Sequence, residues 1–182
     1  FNLIYVIVLA IGVGISGYIT RNLLVDNARE EVLSNARLLI AKANAVRGYT
    51  SGQITKLLET QMKYEFLPQS VPAYAATEQF NDLRKKHPDY TYKEATLNPS
   101  NLRNRATDWE TDVVNGFRNT ATAAEAIGER DTPSGRALYL ARPIQVKSGT
   151  CLECHSTVDV APKTMVDLYG PANGFGWKMD EV

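Results

Sequence analysis

The sequence predicts an α+β protein whose N-terminal transmembrane helix continues into a long amphipathic helix. Three observations carry that expectation. Residues 3–19 contain no charged side chain, residues 22–47 keep an apolar position every three or four residues, and residues 121–130 and 136–146 are strand-like runs on either side of turn chemistry.

Taken in order, residues 3–19 are dominated by Ile, Val, Leu, Ala and Gly. At a helical rise they reach about 25 Å, the lower limit for a bilayer span. The rival reading is the hydrophobic part of a signal peptide, but no clean Ala-x-Ala site follows. Residues 1–21 are therefore expected to be an uncleaved anchor. The missing initiator methionine suggests that further residues precede Phe1.

The helix is expected to run on through residues 22–47. Val25, Ala28, Val32, Ala36, Leu39, Ala43 and Val46 form one apolar seam, with Arg29, Glu30, Glu31, Arg37 and Lys42 largely off it. Such a seam serves a helix packing on its own domain or a helix pairing with a second copy to give a homodimer. The shortness of the repeat favours the first. Gly48 is the expected stop, and the remaining domain is expected to span residues 48–182.

Residues 61–75 are rich in aromatics and proline, including Tyr64, Phe66, Pro68, Pro72 and Tyr74, and read as a stiff ordered loop. A short helix is expected from Thr77 as cap to Lys86, ended by His87-Pro88, and then a strand over 90–97 closed by Asn98-Pro99. Thr107-Asp108-Trp109-Glu110 is a capping box opening a helix with Trp109, Val113, Val114 and Phe117 on one side. The hairpin follows, turning at Thr132-Pro133-Ser134-Gly135. Three glycines in residues 169–177 allow that aromatic loop to approach a neighbour closely.

The hairpin delivers the chain into Cys151-Leu152-Glu153-Cys154-His155. Two thiols three positions apart can each add across one vinyl group of a porphyrin, and a histidine directly after the second can reach the iron beneath the ring. Cys-x-x-Cys-His is thus the attachment signature of a c-type haem, covalent and one per chain. The chain's only two cysteines and one of its two histidines fall in this pentapeptide, so chance is a poor account of it. A thioredoxin-type disulfide wants a βαβ context, and zinc wants four ligands where only His87 is left to help. Haem attachment of this kind belongs to the periplasm or an equivalent extracytoplasmic side.

Twenty basic and twenty acidic residues give a net charge of zero, so no nucleic-acid partner is expected. No nucleophile–base pair, phosphate loop or paired carboxylates stand out, and no enzymatic activity is expected.

Residues 92–99, 141–144, 151–155 and 169–177 together resemble the PAS-like c-type haem domain of a small cyanobacterial cytochrome and of extracytoplasmic sensor regions in bacterial signalling proteins. The resemblance covers roughly residues 26–182 and implies a PAS-like antiparallel sheet with flanking helices. Members usually run on into one more strand after the aromatic loop. A relative is thought to use a cysteine thiolate as an axial ligand, whereas here Cys151 and Cys154 are both expected to be thioethers.

His155 is the expected axial iron ligand. For the opposite side His87, Met62 and Met165 are candidates, and an open or water-bound position is equally allowed. Arg142 is a candidate for the haem propionates, and Arg47, Tyr74, Tyr139, Phe175 and Trp177 for the haem pocket. Two functions fit: a membrane-anchored periplasmic cytochrome exchanging electrons with a membrane partner, or a haem-based redox or gas sensor of a transmembrane signalling protein. The first is favoured, with the bilayer as partner through residues 3–19.

Overall fold

The computed structural model describes residues 2–133 and 135–182; Phe1 and Ser134, the latter within the expected hairpin turn, lie outside the described residues. The chain divides into two compact units, residues 1–41 and 42–182, so the boundary drawn from sequence at 47/48 falls inside the second.

The first unit is helical, formed by most of α1 (Asn2–Tyr49). Leu3, Ile4, Val6, Val8, Leu9, Ile11 and Ile15 are all exposed along it. The helical stretch Asn2–Met62 is long and apolar enough to cross a membrane, with a mean hydropathy of 2.2 over its most apolar window, and a signal sequence has the same properties.

The second unit begins in the last turns of α1. Gly48 does not stop this helix, because a glycine stop needs the left-handed backbone and Gly48 is not among the glycines with positive φ. The chain instead widens into a π-turn, Thr50–Ile54, and continues as α2 (Thr55–Met62). Hydroxyls take up carbonyls around the widened turn. Thr50 Oγ1 donates to the Val46 carbonyl at 2.8 Å, Ser51 Oγ to that of Gly48 at 3.2 Å, and Thr55 Oγ1 shares its proton between Thr50 at 3.0 Å and Ser70 at 2.7 Å. The C-terminal half of the expected apolar seam is covered at Ala36, Leu39, Ala43 and Val46, and the covered stripe is wider than that seam. Val25 and Val32 are exposed, while Leu33, Ala43 and Thr50 are buried and Ala36, Ile40 and Arg47 partly so. The side chain of Arg47 belongs to the buried line because it ion-pairs with Glu94, a choice no apolar pattern reveals.

Residues 61–75 are less loop-like than expected. A 3-10 turn, Pro68–Ser70, leads into α3 (Pro72–Leu83), which starts five residues before the anticipated cap. Pro72 suits the first helical turn, since its ring presets φ and the amide it lacks would be unpaired there. Thr77, freed from capping, donates its hydroxyl to the Ala73 carbonyl at 2.8 Å.

The expected strand over 90–97 does not form; its one bridge joins Thr96 to Arg105. Two backbone bonds, Thr96 N to Asn104 O and Ala106 N to Thr96 O, both at 3.0 Å, hold the segment there. Its polar side chains are directed to neighbours. Lys93 reaches Glu110 at 2.6 Å, and Tyr92 donates to Glu94 at 2.9 Å.

The capping box is present as expected: Thr107 caps α4 (Asp108–Asn119) and Glu110 returns to its amide. The hairpin is real and shorter than predicted. Strands β1 (Ala126–Thr132) and β2 (Gly135–Ala141) pair antiparallel with Gly128 opposite Tyr139. A turn from Thr120 to Ala123 delays β1, and Pro143, with no amide to donate, follows soon after β2. Two short helices follow, α5 (Gly149–His155) and α6 (Lys163–Tyr169). Near the C-terminus, Val146 N–H donates to the Glu181 carbonyl and Asp180 N–H to that of Val146, both at 2.9 Å.

Candidate cofactor site

Helix α5 carries the whole motif. Ser148 caps it by accepting from the Thr150 amide at 3.3 Å. Positions three apart on a helix face the same way, so Cys151 and Cys154 present their thiols together. Both are free and half-buried. Cys154 packs on a cluster of Phe66, Ala161 and Met165, shared with Val71, Val166, Tyr169 and Phe175. Burial pushes the Cys154 thiol up, with the negative charge of Glu153 adding, so it is protonated at neutral pH.

His155, at the end of α5, lies against the glycine loop after α6. Its Nδ1 is 2.7 Å from the Gly174 carbonyl oxygen. A carbonyl only accepts, so Nδ1 carries the proton and Nε2 keeps its lone pair. Burial lowers the imidazole's pKa and the bond to Gly174 partly opposes this, which leaves a neutral ring, the form that binds metals. The Trp177 indole stacks on the same ring, centroids 4.0 Å apart and planes 9° from parallel. Two backbone bonds complete the junction: Trp177 N to His155 O at 3.1 Å and Gly176 N to Ser156 O at 2.8 Å.

The glycine loop is held from behind. Asn98 Nδ2 donates to the Phe175 carbonyl and Asn98 Oδ1 accepts from the Gly174 amide, each at 3.0 Å. Arg105 donates to Asn173 Oδ1 at 2.8 Å. Gly174 has φ +89°, and a Cβ there would stand 1.9 Å from Ser100 Oγ and 2.7 Å from the Ser100 nitrogen, so only glycine fits.

The residues expected to form the site fall into two groups. Cys151, Cys154, His155, Met165, Phe175 and Trp177 gather around α5, α6 and the loop. The others have different partners: Arg47 with Glu94, Arg142 with Glu125 at 2.7 Å, and Tyr74 beneath the Arg103 guanidinium at 4.8 Å. Tyr139 packs on Trp109 with centroids 5.2 Å apart. Among the candidates for a second ligand, His87 is exposed, Met62 Sδ accepts from Ser70 at 2.7 Å, and Met165 is buried in the Cys154 cluster. Sequence reasoning misses Asn98 and Ser100. From sequence Asn98 reads only as the end of a strand, although an amide before proline carries both a donor and an acceptor.

The family model described as Tll0287-like matches residues 25–182. The chain belongs to the Tll0287-like family. The crystal structure of the cyanobacterial heme-protein Tll0287 superposes with a TM-score of 0.63 at 16% identity, covering 82% of this chain and 88% of that one. At that identity the likeness shows the fold, and the α+β, PAS-like class expected from sequence is the one observed. Comparison with curated proteins returns no match. In this member of the Tll0287-like family, the matched region takes in both α5 and the glycine loop.

Proposed function

We propose that this chain is a membrane-anchored, extracytoplasmic c-type haem protein carrying one covalent haem. The observation that carries the reading is the hydrogen bond from His155 Nδ1–H to Gly174, which leaves the Nε2 lone pair available to an iron at the end of the helix that carries the two free thiols. The name of the solved relative, a heme-protein, supports it. Cys151 and Cys154 would each add S–H across a vinyl group, forming thioethers. When bound, the haem supplies a one-electron ferric–ferrous couple.

The chain's own residues set the conditions for that couple. Gly174 holds the His155 tautomer, and Trp177 covers one imidazole face. The cluster around Phe66 and Met165 excludes water from the Cys154 side. This favours a redox protein that exchanges electrons with a membrane partner, anchored by residues 3–19. A sensor reading has one observation in its favour: the last turns of α1 are tied into the haem-bearing unit, through Arg47 to Glu94.

Maturation of the full chain in a cell with c-type haem assembly tests the reading. Haem staining on a denaturing gel should follow the wild type and vanish in Cys151→Ala/Cys154→Ala. Stain retained by that double variant would overturn covalent attachment. A ferrous iron that ignores carbon monoxide supports electron transfer, and rapid carbonylation supports sensing.

A further inference from the structure

The Gly174 carbonyl belongs to the peptide unit between Gly174 and Phe175. Both of its flanks are bonded to one side chain: the Gly174 amide ahead of it and the Phe175 carbonyl behind it engage Asn98 Oδ1 and Nδ2. With those two points fixed, the intervening carbonyl has little freedom to swing. Asn98 is itself held, followed by buried Pro99 and lying two residues after Thr96, whose backbone bonds to Asn104 and Ala106. Ser100 occupies the space where a Cβ of residue 174 would stand, which closes that side of the loop.

We propose that Asn98 is the positioning residue for the His155 imidazole, setting the direction of the Gly174 carbonyl and through it the proton position and ring orientation of His155. Asn98 touches neither the motif nor the ring. It acts through two peptide bonds, 76 and 77 residues away in sequence. The proposal rests on the reading of His155 as the iron ligand. A strong Nδ1–H···O bond makes Nε2 the better donor and favours ferric iron, so loosening it moves the couple towards ferrous.

The test is a redox titration and a ferric spin-resonance spectrum of the matured full chain, wild type against Asn98→Ala. The expected result is full covalent haem, an altered g-value spread and a tenfold shift of the equilibrium towards ferrous iron, about 59 mV for one electron. Asn98→Asp keeps the acceptor for Gly174 and loses the donor to Phe175. Its carboxylate charge favours ferric iron and opposes the shift, so in this variant the altered g-value spread carries the test if the alanine variant does not fold. Thr107→Ala, which loosens the α4 cap, separates positioning from general destabilisation and should leave the potential in place. Unchanged potential and g-values in both Asn98 variants would overturn the proposal, as would an equal shift in Thr107→Ala.

A wild type without covalent haem would instead sink the haem reading. The inference is then decided by the imidazole ¹⁵N spectrum of the haem-free full chain. A dominant Nδ1–H form at His155 that becomes mixed in Asn98→Ala supports it, and identical spectra overturn it.

Discussion

The Gly174 amide and the Asn98 side chain are 3.0 Å apart and 76 residues apart in sequence, and this contact holds a left-handed glycine against Ser100. Gly174→Ala therefore meets two obstacles, a positive φ and a backbone atom in the way. It should lower the unfolding free energy by about 1–3 kcal/mol from overpacking alone, seen as an earlier denaturant midpoint. A midpoint equal to wild type would show that Ser100 yields freely.

Gly48 supplies the opposite case. It sits inside α1 without left-handed backbone, and a methyl group added at its Cα would meet nothing within 4 Å. Gly48→Ala should stabilise by about 0.5–1 kcal/mol. Destabilisation there would mean that the helix needs its glycine.

Glu110 governs an acid-side prediction. Burial works against its charge, but the Lys93 ammonium and the Thr107 amide and hydroxyl outweigh that and hold the carboxyl below its usual value. The folded state thus binds the proton less readily than the unfolded chain. The stabilisation is present above the ordinary carboxylate pKa and is lost as the pH falls through the lower folded value. Thermal melts between pH 7 and pH 3 should show a steeper decline in wild type than in Glu110→Gln. Parallel curves would remove Glu110 from the account.

Met165 is 3% exposed and shares its cluster with Cys154. Met165→Ala should cost about 2–5 kcal/mol, and Met165→Leu less than about 1.5. Equal losses in the two variants would point to a role for the sulfur beyond filling space.

Much of the site is legible in the sequence because its chemistry is local. Cys151, Cys154 and His155 lie within five residues, and the glycines and aromatics of the loop form a second dense run. The capping box at Thr107 and Glu110 is equally visible, since both partners lie within one turn. What joins the motif to the loop is hidden, because a side-chain amide bonding backbone atoms 76 residues away leaves no periodic trace. The absent strand over 90–97 has a related cause. Its tyrosines and threonines fit a strand, yet its one bridge is at Thr96, and Lys93 and Tyr92 bond Glu110 and Glu94. Pro72 reads as part of a loop in a proline-rich stretch, although at the first turn of a helix proline is at home.

The π-turn at Thr50–Ile54 means that α1 and α2 do not share one angular frame. Each residue advances an α-helix by about 100°, so removing one from this turn would spin α2 by that angle. Thr55 would then swing out of reach of the Ser70 carbonyl, which it now meets at 2.7 Å. The phase of α2 is thereby set by its own anchor at Ser70, and an apolar stripe followed down α1 does not predict which side of α2 faces inward.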